Sequence, residues 1–237
     1  CLLDYIAHQQ AAPDLLEQAG YFVGYTGKGW GPGDWMISGR SRDPAGPVWE
    51  EKKLTPPFTG ISDNDYTSNF TQFLDQRPEG RPFCFWLGTL EPHRPYEAGS
   101  GLKKGKRLED VVVPPFLPDS PEVRSDLLDY YAEIEAFDEH LGRILDLLRK
   151  RGELDNTLVI VTSDNGMQFP RGIGNLFEYG LHVTLAIRWP ARVPQGRIVD
   201  DLVGFTDLTA TIYEAAAVEA PSVTGRSLMN VLTSDRR

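Results

Sequence analysis

At 237 residues the chain is long enough to bury a core and sits near the upper edge of what one domain holds. An apolar fraction of 41%, with five Trp, nine Tyr and eleven Phe, excludes a disordered polymer. Thirty-four acidic against 24 basic residues give a formal charge of −10, which disfavours nucleic acid and anionic membrane as partners, so an anionic ligand requires a local cationic pocket.

No apolar run approaches the ~18 residues of a membrane span. The two cysteines, Cys1 and Cys84, show no metal-ligand spacing and leave the compartment undecided. The sequence opens without Met in Cys1-Leu2-Leu3-Asp4 and carries no signal-peptide pattern, so it reads as a piece of something longer.

In chain order, Asp14 to Ala19 predicts a short amphipathic helix, with Pro13 near its start and Gly20 at its end. It leads into strand-forming Tyr21 to Thr26 and then the glycine-rich Gly27-Lys28-Gly29-Trp30-Gly31-Pro32-Gly33. Such glycines let a backbone approach a ligand, and Lys28 offers a cation to an oxyanion; the competing reading is a mobile surface loop with an ordinary lysine. The order of a Walker loop is absent.

Asp34 to Asp65 is polar and without period, as expected of a long excursion that acts as a lid or recognition loop. A helix follows from Asn64 to Gln76, capped by Asp63 or Asn64, with Tyr66, Phe70, Phe73 and Leu74 on one face.

Pro82 to Gly88 forms a second apolar strand and ends in Glu91-Pro92-His93-Arg94-Pro95-Tyr96, where His93 stands between prolines. Its imidazole is suited to a metal, a proton or an oxyanion, or it is a solvated loop residue. The basic cluster Lys103, Lys104, Lys106 and Arg107 reads as a solvated loop, and Val111 to Val113 as strand-like.

A long helix spans Pro121 or Glu122 to Lys150. Its apolar stripe includes Asp138, which requires a hydrogen-bond partner, whereas His140 points to solvent. Thr157 to Thr162 is a run of strand formers without polar alternation, expected in the middle of a parallel sheet and buried on both faces.

That run breaks directly into Ser163-Asp164-Asn165-Gly166. Beyond the carboxyl end of such a strand ligands bind, and Asp164 and Asn165 offer hard oxygens suited to Ca²⁺ or Mg²⁺. The same four residues also make an ordinary turn. A strand from Val183 to Trp189, a helix from Asp207 to Ala217 and a short last helix after Gly225-Arg226-Ser227-Leu228 complete an α/β pattern with a mostly parallel or mixed sheet flanked by helices.

Four stretches in register resemble the sulfatase family: Gly24-Tyr25-Thr26-Gly27-Lys28; Glu91 to Tyr96; Leu154-Asp155-Asn156-Thr157 through Gly166; and Gly180-Leu181-His182-Val183 to Arg188-Trp189-Pro190. Met167-Gln168-Phe169-Pro170 and Asn175-Leu176-Phe177 are similar to the heparan N-sulfatase (sulfamidase) branch.

The resemblance implies an alkaline-phosphatase-like fold and hydrolysis of sulfuric esters or sulfamates on a sulfated small molecule or glycan. It also implies Ca²⁺, with Mg²⁺ second, and a formylglycine nucleophile. On that basis Asp164 and Asn165 are metal ligands, Lys28 and His93 bind sulfate and serve catalysis, and Arg171 is a further substrate contact. Neither nucleic acid nor membrane insertion is implied, and the family's compartments are periplasmic, secreted or lysosome-like.

The departures are specific. No paired N-terminal aspartates and no C/S-x-P-S-R sequence are present, Trp30 stands where a histidine is usual, and Ile173 where a basic residue is usual, with Arg171 two positions earlier. Residues 1–237 therefore read as an incomplete sulfatase catalytic domain, without the N-terminal metal and nucleophile segment or the C-terminal subdomain. The alternatives are a non-catalytic binding remnant and a phosphatase or phosphonate monoester hydrolase of the same superfamily.

Overall fold

The computed structural model describes residues 10–31, 33–219 and 221–234. Helix α1, Ala12–Gln18, begins two residues earlier than the sequence suggests. Pro13 lies in its first turn, where a missing N–H goes unnoticed, and the Asp14 carboxylate accepts the Ala11 N–H at 2.9 Å. Gly20, at φ 96°, reverses the chain into β1, Phe22–Gly27.

β1 pairs in parallel with β2, Phe83–Gly88, in a register running from Phe22 opposite Phe83 to Gly27 opposite Gly88. A parallel pair requires a crossover, and α2, Tyr66–Gln76, lies within it. The cap of α2 is Asp65, one residue beyond the expected Asn64, its carboxylate accepting the Ser68 N–H at 3.0 Å. Phe70, Phe73 and Leu74 then point inward with Ile144, Leu148 and Leu154, against Phe22, Phe83 and Phe85. Phe73 is 0% exposed and stacks on Phe22 at 4.7 Å.

The excursion over 34–65 holds a 3₁₀ turn, Trp35–Ser38, and then runs beside β1. The Tyr25 N–H donates to Pro47 O at 3.0 Å and the Trp49 N–H to Tyr25 O at 2.8 Å. Arg40 and Arg42 tie it to Asp14 and Glu17 of α1 at 2.5 and 2.6 Å.

After the short helix α3, Ser100–Lys103, the 30-residue α4, Pro121–Lys150, forms as expected under a Ser120 cap. Two expectations about it fail: Asp138 is exposed, and His140 is buried at 8% exposure. The polar positions that α4 buries are Asp129, Glu133 and His140, because that flank packs on loops rich in donors rather than on apolar strands. Asp129 accepts from the Gly99 and Gly101 N–H groups, both at 2.9 Å, and His140 Nδ1 meets the Thr67 hydroxyl at 2.9 Å.

Val111 to Val113 is extended chain rather than strand; the Arg124 guanidinium occupies the carbonyls of Leu108 and Val111. The basic cluster is paired with acids, including Lys103 with Glu97 and Lys104 with Glu135.

β3, Val159–Thr162, follows a 3₁₀ turn at Leu154–Asn156 and pairs antiparallel with β4, Leu185–Arg188. Its residues are half-buried or exposed, so among the described residues it is one of an antiparallel pair rather than the middle of a parallel sheet. Helices α5, Glu178–Leu181, α6, Phe205–Ala215, and α7, Met229–Thr233, complete this half. Trp189, Leu208, Leu228, Met229 and Leu232 pack there on Ile160 and Ile187.

The described residues form an α/β fold, with one parallel and one antiparallel strand pair and helices against both. Among the described residues no helix is long and apolar enough to cross a membrane.

Candidate active site

Lys28, Gly88 and Ser163 each stand at or immediately past the carboxyl end of a strand: β1, β2 and β3. The first two ends are fastened to each other. The Lys28 N–H donates to Gly88 O at 2.5 Å, and the Trp86 indole N–H donates to Lys28 O at 2.9 Å. Gly27, at φ 79°, makes this approach possible, since a Cβ there would run into Gly88 O.

The loop is then clamped from below by acids of the excursion. Glu50 accepts the Gly27 N–H at 2.9 Å. Asp43, buried, accepts the Trp30 N–H at 3.1 and 3.2 Å and the Ala45 N–H at 2.7 Å. A Cβ on Gly29 would lie 2.5 Å from Asp43 Oδ2. Burial first, then the Asp43 and Glu50 carboxylates, pushes the Tyr25 phenol up to about 12, so that ring stays neutral. Lys28 is exposed, and its ammonium makes no ion pair among the described residues.

His93 is presented on a loop held from its base. Glu91, buried, accepts the Ser62 N–H at 2.8 Å and the Tyr66 hydroxyl at 3.1 Å, and the Leu90 N–H donates to the Tyr66 oxygen at 3.0 Å. The peptide bonds Glu91–Pro92 and Arg94–Pro95 are cis. His93 Nδ1 lies 2.5 Å from Arg94 O. A carbonyl only accepts, so Nδ1 carries a proton and Nε2 is the nitrogen left to meet a ligand.

Beneath the loop, Glu133 is 3% exposed with Oε2 unpartnered. Burial, reinforced by the Glu91 carboxylate, pushes it up to about 7.

The third corner is joined to the second through Arg94. Its N–H and Nε donate to Gln168 Oε1 and Gln168 O at 3.1 and 3.2 Å. Its guanidinium grips Asp126 of α4 bidentately at 2.9 and 2.5 Å, and it lies over the rings of Tyr96 and Phe169.

Within the corner, the Ser163 hydroxyl donates to Asn165 O at 2.8 Å and the Gly166 N–H to Gly180 O at 3.2 Å. This is turn chemistry. The Asp164 and Asn165 side chains nevertheless make no hydrogen bond or ion pair among the described residues. Arg171 lies farther along the same loop, its guanidinium over Phe116 at 5.7 Å and Phe177 at 5.2 Å.

The structure thus links the loops of Lys28 and His93 through the Lys28–Gly88 backbone bond, and the His93 loop to the Asp164-Asn165 corner through Arg94 and Gln168, while the Lys28, His93, Asp164 and Asn165 side chains make no hydrogen bond or ion pair with one another among the described residues. Sequence reasoning missed Asp43, Glu50, Glu91, Glu133 and Gln168. Asp43 and Glu50 lie in a stretch without period, and nothing local marks an acid that caps a loop twenty residues away. Glu91, Arg94 and Gln168 stand inside the quoted motifs, and that membership was the available signal.

Asp164 and Asn165 bring two of the six to eight oxygens a calcium ion takes, and no cluster of three or more His, Cys, Asp or Glu side chains forms among the described residues. Cys84 does not fit a formylglycine: it is followed by Phe-Trp-Leu, and burial pushes its thiol up to about 11.

Comparison with known proteins narrows the reading. The sulfatase family profile matches residues 6–218. Human N-sulphoglucosamine sulphohydrolase is 31% identical over 68% of this chain, and the match spans 38% of that protein. A solved complex of a protein with its substrate D-glucosamine-2-N,6-O-disulfate superposes with a TM-score of 0.72 at 21% identity, over 97% of this chain and 65% of the other.

A phosphonate monoester hydrolase from Agrobacterium radiobacter has a TM-score of 0.67 at 17% identity, over 93% of this chain and 61% of the other. The chain accordingly spans less than two thirds of each of these relatives. The structural likenesses establish the alkaline-phosphatase-like fold. With the profile running from Ile6 to Val218 through the loops of Lys28, His93 and Asp164, the chain belongs to the sulfatase family.

Proposed function

We propose that this chain forms the sulfate-facing part of a catalytic domain that hydrolyses sulfuric esters or sulfamates on a sulfated sugar. The observation that carries this is the joining of the three strand-end loops, Lys28 to Gly88 and Arg94 to Gln168, while the Lys28, Asp164 and Asn165 side chains have no hydrogen-bond or ion-pair partner among the described residues.

Lys28 supplies a positive charge, and the His93 Nε2 supplies a second contact, where negative charge develops on sulfuryl oxygens. Arg171 adds a bidentate donor at the loop edge for a further contact to the substrate, apart from the sulfuryl group. Asp164 and Asn165 would be two ligands of a hard divalent cation, Ca²⁺ before Mg²⁺, whose chemistry would be to neutralise sulfuryl charge. A formylglycine would come from outside these residues.

In a longer protein containing this chain, Lys28→Ala and His93→Ala should each lower kcat/KM for sulfate release from an N- or O-sulfated glucosamine by about 100-fold or more, read by ion chromatography. Faster release of phosphate or phosphonate from matched esters would turn the reading to the phosphonate hydrolase branch.

The second reading is a binding module without turnover, favoured by the absence of C/S-x-P-S-R from the 237 residues. Both readings expect no turnover from the chain alone, and metal-dependent sulfate release by the pure 237-residue chain would contradict that shared expectation.

A further inference from the structure

Phe169 to Gly172 is a tight turn: the Gly172 N–H donates to Phe169 O at 2.9 Å, with Pro170 second and Arg171 third. Arg171 has φ 64°. Pro followed by a positive-φ residue is the arrangement that ordinarily takes glycine in third place, and a side chain there is strained. The cost is not recovered through an ion pair. In a chain of net charge −10, the Arg171 guanidinium has no carboxylate partner among the described residues, whereas Arg94, Arg124 and Arg77 each have one.

Its faces lie instead over Phe116 and Phe177, and Tyr179 meets Phe116 edge-on at 4.8 Å. Phe177 and Tyr179 are exposed. The cluster is fixed to the Asp164-Asn165 corner, because the Gly166 N–H donates to Gly180 O and a Cβ on Gly166 would strike Tyr179 O.

Resting on the sulfated-sugar reading above, we propose that Arg171, Phe116, Phe177 and Tyr179 form a saccharide-binding wall beside the Asp164-Asn165 corner. The exposed ring faces receive the C–H face of a pyranose. The guanidinium, whose N–H groups make no hydrogen bond or ion pair among the described residues, takes an anionic substituent of that sugar unit, sulfate or carboxylate. This differs from sulfate capture at Lys28 and His93: the wall selects the sugar, and its loss should leave binding of a bare anion intact.

The test is calorimetric titration of the 237-residue chain with three probes: a heparin-derived disaccharide carrying N-sulfate and uronate, the same disaccharide N-acetylated and carboxyl-reduced, and inorganic sulfate. Phe177→Ala should weaken the charged disaccharide at least tenfold and leave inorganic sulfate within twofold. Phe177→Trp should retain wild-type affinity. Arg171→Gln should weaken the charged disaccharide at least tenfold and the neutral one by less than twofold.

The proposal is overturned if wild type does not bind the charged disaccharide. It is likewise overturned if Phe177→Ala and Arg171→Gln leave that affinity within twofold, or if they weaken inorganic sulfate equally. Failure of the sulfate reading is separate: there, Lys28→Ala leaves inorganic sulfate binding unchanged while the Phe177 and Arg171 effects persist.

Discussion

The halves of the molecule around β1/β2 and around β3/β4 place similar loops on dissimilar foundations. Around β1 and β2, Phe70, Phe73, Leu74, Ile144 and Leu148 close over the strands, and buried Asp43 and Glu91 clamp the loops of Lys28 and His93 from beneath. Around β3 and β4 the strands are half-exposed, and the chain beyond Ile173 exposes Leu176, Leu181, Ile198 and Leu202. The first half fixes the backbone of the loops that carry Lys28 and His93, while the second holds Asp164 and Asn165 on a turn that is tied to the first through Arg94.

The largest test of this contrast is stability. Phe73→Ala removes a 0%-exposed ring in contact with Phe22, Phe70, Phe83 and Phe85 and should cost about 3 to 5 kcal/mol. Leu202→Ala, at 103% exposure, should stay within roughly 0.5 kcal/mol. Urea midpoints measure both. A Leu202 cost comparable to that of Phe73 would mean that the second half is also closed over.

The same contrast explains what could be read from sequence. Strands and helices with a buried apolar face were legible to within about two residues, as for Phe22–Gly27, Phe83–Gly88 and Pro121–Lys150, because burial writes a period into the chain. Burial of β3 was overestimated, since an unbroken apolar run records what a strand is able to bury rather than what covers it.

Asp138 and His140 were assigned the wrong way round because hydrophobic periodicity says nothing about a helix flank that packs on hydroxyl and backbone groups, as His140 does on Thr67. Lys28, His93, Asp164 and Asn165 stand out in the sequence as candidates by their places after strands. Their supports, Asp43 and Glu91, act across distances in sequence over which no pattern extends.

A second test addresses the foundation of the His93 loop. Glu133 is pushed up to about 7 by burial and by Glu91, so the native state holds its proton more tightly than the unfolded chain does. The stability it contributes is fully present below about pH 4.5 and is lost as pH rises through about 7, a swing on the order of 3 kcal/mol. Glu133→Gln should therefore gain on wild type between pH 5 and pH 8, measured by urea unfolding at both.

Of the groups that interact with Glu133, Tyr96 is raised by burial and stays neutral over this range. His140 acts oppositely: burial and Arg143 lower its pKa, so stability rises as it deprotonates, and that contribution is common to both proteins. Parallel pH profiles for wild type and Glu133→Gln would show that Glu133 is solvated.

The smallest effect is the most direct measure of how the halves are joined. Arg94→Ala deletes the partly exposed Asp126 pair and the Nε bond to Gln168 O, an expected loss of about 1 kcal/mol in global stability, since such pairs contribute little. Its effect should instead be uneven. The Gly166 and Gly172 amides lie on the loop that Arg94 fastens, and their hydrogen exchange should speed by about tenfold, while the Lys28 amide, bonded to Gly88 O, should keep its wild-type rate. If all three amides accelerate together, Arg94 supports the molecule as a whole. If none does, the turn at Asp164 stands unaided and the asymmetry between the halves lies in their cores alone.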